Sequence, residues 1–309
     1  MRFIVTTTIN APSKALRLFA KNKEWNVIVI GDLITPHKEF RIFERENSNV
    51  VYLSPEDQEK KYPKLSDAIG WRKIQRRNIG YIEAFRQGAT IVATVDDDNI
   101  PYKFWGKDIF VGKSVEVNYY KEPGIVFDPV GVTNTKNIWH RGFPIQLVQS
   151  RKYSKPVKKK ITPDIQADFW DGDPDVDAIC RMILSPNVKY QKKYFPLACN
   201  VLSPFNSQNT FLARDVLVDY FLFPDVGRMD DIWGGYYALA KGHKVVYNKA
   251  TVYQDRNVHD LTKDMKNEYL GYENNLHLLE SIRKDPEDIL NFLPDSSKHA
   301  FVEYRKLFK

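Results

Sequence analysis

The densest chemistry in the chain is a run of carboxylates, Thr94-Val95-Asp96-Asp97-Asp98-Asn99, directly after the apolar stretch Ala89 to Val95. Three adjacent acids repel one another unless a cation joins them or hydrogen-bond donors receive them. Hard oxygen ligands of this kind suit Mg2+ or Mn2+, and such an ion can bridge the phosphates of a diphosphate. The competing reading is an acidic turn that caps the next element, and for an Asp triplet taken alone that is the commoner case. The context shifts the balance, because ligands of open α/β sheets bind outside the carboxyl ends of strands, where this run falls.

Other segments add charge. In Trp71-Arg72-Lys73-Ile74-Gln75-Arg76-Arg77-Asn78-Ile79-Gly80, the spacing brings Lys73, Arg76 and Arg77 to one helical face. That face is either solvated or a cationic wall for a diphosphate. In Val226-Gly227-Arg228-Met229-Asp230-Asp231-Ile232-Trp233-Gly234-Gly235-Tyr236, two carboxylates open an expected helix. They either cap it or bind and deprotonate a hydroxyl, and the two glycines allow close backbone approach. Trp170 to Asp177 alternates carboxylates, yet Val176 and Met182 stand where a calcium loop needs Gly and Glu. A polar loop on the acceptor side is expected instead. Arg151 to Lys160 holds six cations around Pro156, as an exposed loop, a mobile lid over phosphates or a patch for an anionic polymer. His259, in Arg256-Asn257-Val258-His259-Asp260, is either structural or a metal ligand.

The elements that must carry these groups alternate between strand and helix. Strands are expected at Phe3 to Ile9, Trp25 to Ile30, Val50 to Leu53 and Ala89 to Val95. Helices are expected at Ala11 to Lys21 and, capped by Ser66, from Ser66 to Gln87. This is the βα alternation of an open parallel sheet. The second half is irregular, with short strands near 125–127, 145–149, 244–247 and 251–253. Helices are expected at Arg214 to Phe223, Asp231 to Lys241, Asn267 to Lys284 and near 296–307. The reading is a single α/β domain: a mostly parallel open sheet flanked by helices, with an irregular acceptor half.

Composition narrows the class. The 309 residues are 43% hydrophobic and 28% charged, which excludes disorder, collagen and coiled coil. Two cysteines, Cys180 and Cys199, cannot form a disulfide scaffold or a Cys-built zinc site, and read as free thiols of a reducing compartment. No apolar run reaches the ~18–20 residues of a membrane span. Residues 1–5 lack a leader pattern, so a soluble, cytoplasmic protein is expected. The formal net charge of +7 favours an anionic partner. A basic nucleic-acid-binding protein, or a transferase acting on DNA, is a less favoured alternative, since no recognition-helix or zinc pattern is present.

The ordered set Gly31-Asp32, Arg77-Asn78-x-Gly80, Asp96-Asp97-Asp98, Arg141-Gly142-Phe143-Pro144, Gly227-Arg228-x-Asp230-Asp231-x-Trp233 and Arg256-Asn257-x-His259-Asp260 resembles glycosyltransferases of the GT-A fold. The nearest likeness is to the STELLO-like group, and a more distant one is to the plant reversibly glycosylated polypeptides, which are UDP-arabinopyranose mutases. The resemblance spans roughly residues 1–275. It implies a nucleotide-binding half (1–99), an acceptor half (100–275) and a helical extension (276–309). It also implies a nucleotide-sugar donor, a UDP-sugar first of all, a hydroxyl acceptor such as an anionic glycan, and Mn2+ or Mg2+. Thr7, Thr8, Asp32, Lys73, Arg77, Asp96, Asp97 and Arg141 would face the donor. Asp98 and Asp96, with His259, would hold the metal. Asp231, and beside it Asp230, would serve the acceptor. The mutase group has a His soon after the late strand where this chain has Gln254, which opposes a simple transfer of mutase activity.

Overall fold

The computed structural model describes residues 1–254 and 260–308. The first half runs β1 (Arg2–Thr8), α1 (Lys14–Ala20), β2 (Asn26–Gly31), α2 (His37–Glu46), β3 (Val50–Leu53), α3 (Pro55–Lys61), α4 (Pro63–Ile69), α5 (Arg77–Arg86) and β4 (Ile91–Val95). The second half runs β5 (Asn99–Pro101), β6 (Val115–Tyr120), β7 (Val157–Ile161), β8 (Ile165–Gly172), α6 (Ala178–Leu184), β9 (Leu197–Cys199), β10 (Asn209–Ala213), α7 (Asp230–Ala240), β11 (Val245–Gln254), α8 (Leu261–Ile282) and α9 (Asp295–Arg305).

One sheet holds every strand, in the order β3-β2-β1-β4-β10-β8-β11-β9-β6-β7, with β5 beside β11. The first four strands are parallel. Val27, Ile28, Val29 and Ile30 are all fully buried, as a parallel strand covered on both faces requires. The chain steps from β1 outward to β2 and β3, then returns across β1 to β4. The order therefore reverses between β1 and β4, and a crevice opens there at the carboxyl ends. Beyond β4 the sheet is mixed: β10 runs antiparallel to β4 and to β8, whereas β11 is parallel to β8. As a result, the start of β10 and the ends of β4, β8 and β11 all reach one edge of the sheet.

The expected helix from Ser66 to Gln87 is two helices. Gly70 and Arg72 adopt positive φ (76° and 60°), which an α-helix does not admit, and a short turn at Ile74–Arg76 precedes α5. Ser66 is not a cap but lies buried in α4, where its Oγ accepts from Arg76 Nη2 at 2.9 Å. The break also disperses the expected cationic face. Arg76 stacks on Trp71 and donates to Gln58, Ser66 and Gly70, whereas Lys73 reaches Asp225 at 2.5 Å. With no carboxylate bonded to it, burial lowers the Arg76 pKa to about 10.

Four further expectations change. The segment near 145–149 is a 3-10 turn (Ile145–Ser150), and 125–127 contributes only a bridge from Val126 to Leu202. The 214–223 helix is only a turn at Arg214–Val216, because Phe221, Leu222 and Phe223 are wholly buried and leave no polar face. The two short strands at 244–253 are one strand, β11, with a bulge between Asn248 and Val252. The cationic run is no lid: Arg151 donates to Asp128 at 2.5 Å, and Val157–Ile161 form β7, paired with β6. Residue 275 falls inside α8, and α9 packs back onto the core through Phe301 and Tyr304 against Phe221. No described helix is long and apolar enough to cross a membrane.

Helix α5 lies directly on the first two strands. A Cβ at Gly80 would stand 2.4 Å from Val5 Cγ1 and 3.2 Å from Ile30 Cγ1. Gly80→Ala is therefore expected to cost about 1–3 kcal/mol through overpacking, read as a lowered denaturation midpoint. An unchanged midpoint would mean that α5 rides higher above the sheet.

Candidate active site

The edge described above carries a cleft of about 230 Å3 lined by Gln75, Asp96, Asp98, Arg141, Ser207, Gln208, Arg228, Asp230, Asp231 and Gln254, among others. Each segment arrives for a structural reason. Asp96 and Asp98 follow β4, and Ser207 and Gln208 precede β10. Gln254 ends β11, and Asp230 and Asp231 open α7. The α7 helix seats close to the core because Gly234 faces the Phe221 carbonyl, 2.2 Å from where a Cβ would stand. That glycine serves packing rather than ligand approach.

The floor is an ion pair. Arg77, 1% exposed, donates from Nη2 to Asp96 Oδ1 at 2.7 Å and from Nη1 to the Ser207 carbonyl at 2.9 Å. Asp96 holds the guanidinium firmly protonated despite its burial. Burial in turn pushes the Asp96 carboxyl up, against the pull of Arg77. Asp97 faces away from the cleft: its Oδ2 accepts from Thr8 Oγ1, and from Asn10 Nδ2 at 3.3 Å. The triplet thus divides its work, with Asp97 fastening the end of β1 and Asp96 and Asp98 lining the cleft.

The wall is a buried ionic knot. Arg141 donates from Nε to both oxygens of Asp175 (2.9 and 3.1 Å), and from Nη1 and Nη2 to Asp231 (3.1 Å each). Its Nη1 also donates to the Arg228 carbonyl. Asp231 Oδ2 receives Ser207 N at 2.8 Å as well, so both of its oxygens are engaged. Asp230 is held differently, by amide donors that include Gln75 Nε2 to Oδ2 at 2.7 Å. Burial, then the negative charge of Asp231, push the Asp230 carboxyl up to about 7. Asp230 is thereby poised to exchange a proton near neutrality.

The remaining candidates lie around this cleft. Thr7 Oγ1 donates to the Ile30 carbonyl (3.0 Å), and Asp32 Oδ2 accepts from Lys73 N (3.2 Å), which puts Thr7, Thr8, Asp32 and Lys73 on the adjoining rim at the ends of β1 and β2. His259 lies outside the described residues. The carboxylates of the 170–177 loop are engaged within the fold: Asp171 with Tyr102 and Tyr190, Asp173 with Arg181, Asp175 with Arg141, and Asp177 as the cap of α6. Gln75, Asp175, Ser207, Gln208 and Gln254 escaped the sequence reading as cleft groups. The one available signal was the polar run Asn206 to Asn209 opening a buried strand.

Among the described residues no three His, Cys, Asp or Glu side chains converge as a metal cluster. One corner nevertheless fits a hard cation in donor chemistry. Asp96 and Asp98 line it, together with Gln254, whose Oε1 is buried and has no hydrogen-bond partner among the described residues. A buried amide oxygen without a donor is uncommon and marks a place for a ligand.

No protein-family model matches the chain. The chain is similar to the STELLO proteins of Arabidopsis thaliana. It is 22% identical over 256 residues to the probable glycosyltransferase STELLO2, covering 76% of this chain and 33% of that protein. The values for the probable glycosyltransferase STELLO1 are 21%, 76% and 32%. The chain thus spans about a third of the length of the curated relatives it matches. Among solved structures, glucosyl-3-phosphoglycerate synthase from Mycobacterium tuberculosis, in complex with phosphoglyceric acid, is similar with a TM-score of 0.45. It is 11% identical, over 90% of this chain and 79% of that one. A mannosyltransferase from Pyrobaculum calidifontis, in complex with GDP-Man and Mn2+, gives a TM-score of 0.45 at 12% identity, over 99% and 69%.

Asp231→Asn removes one of the two charges that offset buried Arg141. Breaking a buried pair of this kind typically costs about 3–5 kcal/mol, and because Asp175 stays in place about 3 kcal/mol is expected here. Urea unfolding of the variant checks this. Unchanged stability with a large loss of turnover would instead give Asp231 a direct chemical role.

Proposed function

We propose that this chain is a glycosyltransferase domain that moves a sugar from a nucleotide-diphosphate donor, a UDP-sugar in the first instance, to an acceptor hydroxyl. The observation that carries the reading is the pairing, across one cleft at the strand-order reversal, of an acidic corner with a carboxyl poised near neutral pH. The similarity to the STELLO glycosyltransferases supports the reaction class.

Each residue then has a task. The rim of Thr7, Thr8, Asp32 and Lys73 receives the base and ribose, and Arg77 fixes Asp96 in its orientation. Asp98 and Asp96, with the Gln254 amide oxygen and His259, would hold Mn2+ or Mg2+. When bound, that ion supplies charge neutralisation for the diphosphate leaving group. Asp230 takes the acceptor proton at Oδ1 or Oδ2, and the Gln75 amide orients it. Asp231, committed to Arg141 and Ser207, positions the loop before α7 and raises its neighbour's proton affinity. Direct transfer with this base on the acceptor side leads to inversion at the anomeric carbon.

A mutase that carries the sugar on Arg141 is less well supported. Asp175 and Asp231 hold that guanidinium protonated, with its pKa raised well above the ordinary arginine value, so it lacks the lone pair a nucleophile needs.

The deciding experiment is a screen of nucleotide sugars with Mn2+, reading release of the nucleoside diphosphate. Turnover of at least one donor is expected, and no turnover or binding of any donor would refute the reading. Two variants refine it. Asp98→Asn should lose Mn2+-dependent UDP binding by calorimetry while melting at the wild-type temperature, whereas binding indifferent to both the mutation and EDTA would remove Asp98 from the metal site. For Asp230, activity should fall as pH drops through about 7, because the base is then protonated. Asp230→Asn should lower kcat on the order of 10²-fold and abolish that limb. A limb that persists in the variant assigns it to another group.

A further inference from the structure

We propose that the opposite end of the sheet carries a second binding site, for a small molecule bearing several phosphate-type negative charges. A cavity of about 620 Å3 opens there between the β6–β7 edge, residues 199–202, the end of α7 and the residue that follows α8. Lys159, Lys160, His243, Lys244 and Arg283 line it, and no Asp or Glu does. His243 Nε2 already meets Asp219 Oδ2 at 3.0 Å. Lys159 lies 4.0 Å from the centroid of the Tyr119 ring. Glu116 stands opposite Lys160 in the β6–β7 register and Asp164 Oδ2 accepts from the Lys244 N–H at 2.9 Å, but neither carboxylate lines the cavity.

Two plainer explanations for this charge fall short. Lysines on an edge strand deter pairing with another chain, and β7 is the sheet's last strand. That accounts for Lys159 and Lys160 but not for Lys244, from a turn, or Arg283, from a helix end. Cations also compensate the carbonyls at a helix C-terminus. At the end of α7, however, the carbonyls of Tyr237, Ala238 and Leu239 already accept from the backbone N–H groups of Lys241, His243 and Gly242 (2.9, 3.3 and 3.0 Å). Cations from three parts of the chain thus border one concavity that no carboxylate lines: Lys159, on the face of β7 that also carries the lining Ile161, with Lys244 and Arg283. Such a concavity focuses positive potential, and its volume suits a ligand of nucleotide size. Phosphate oxygens match both the guanidinium fork and the ammonium groups.

The site is separate from the catalytic cleft and does not depend on the function proposed for it. Val245 lines the cavity and Gln254 the cleft, and these are the first and last residues of β11, about 30 Å apart at the rise of a strand.

Calorimetric titration of the whole chain with sodium tripolyphosphate, in metal-free buffer at 150 mM salt, tests the assignment. Saturable binding is expected. The Lys159→Ala, Lys244→Ala, Arg283→Ala triple variant should weaken it at least tenfold while keeping the wild-type melting temperature, because all three residues are exposed. The conservative Lys244→Arg variant should retain it, and Asp98→Asn in the cleft should leave it unchanged. Absence of binding, or equal binding by the triple variant, would overturn the proposal. So would loss in Asp98→Asn, which would return the ligand to the cleft. Tighter binding to a 20-base-pair DNA duplex, lost in the same triple variant, would also overturn it in favour of a polymer surface.

Discussion

A buried guanidinium between two carboxylates is the constraint from which the cleft follows. Arg141 cannot shed its charge, and desolvating it is tolerable only with close, well-aligned acceptors. Asp175 and Asp231 supply them, and the Arg228 carbonyl adds a third. These residues come from the loop after β8, the start of α7 and the turn before it. One ion network thereby fixes three segments of the irregular half against one another. Ser207, which donates to Asp231, extends the knot to the start of β10, and Arg77 joins Ser207 to Asp96. A continuous chain of charge-assisted hydrogen bonds therefore crosses from the irregular half to the parallel half.

That network also separates two adjacent acids. Asp230 and Asp231 share a helix turn and nearly the same burial, yet only Asp231 reaches the guanidinium. Asp231 is held against the guanidinium, and its negative charge acts on buried Asp230, which accepts from the Gln75 amide. Burial and that neighbouring charge raise the proton affinity of Asp230, as a group that is to accept a proton near neutral pH requires. The sequence spacing alone cannot make this distinction, since it places both at the first turn of α7.

Legibility from the sequence followed the source of stability. β1 to β4 were readable because parallel strands are continuous apolar runs, and α9 because its burial follows the helical period, through Ser297, Ala300, Phe301 and Tyr304. β6 to β10 were not, since β8 mixes Asp168 and Gln166 into a wholly buried strand through local hydrogen bonds that no periodicity announces. The break at Gly70 and Arg72 was hidden by apolar residues spaced helically on either side of it. Asp96, Asp98, Arg141, Asp230 and Asp231 were singled out from residue type and spacing, and the cleft brings them together. Gln75, Ser207 and Gln254 were not, because an amide or hydroxyl gains its meaning only from the groups placed around it.

The distribution of charge along the sheet carries the argument one step further. The net charge of +7 is not spread evenly. At the cleft end, the arginines are consumed by carboxylates: Arg77 by Asp96, Arg141 by Asp175 and Asp231, and Arg228 by Glu268. The cleft therefore presents acids, and on the function proposed above a diphosphate would reach Asp96 and Asp98 in company with a cation. At the other end, Lys159, Lys244 and Arg283 border a cavity that no carboxylate lines. The two ends of β11 thus differ in the sign of the groups that line them as well as in position.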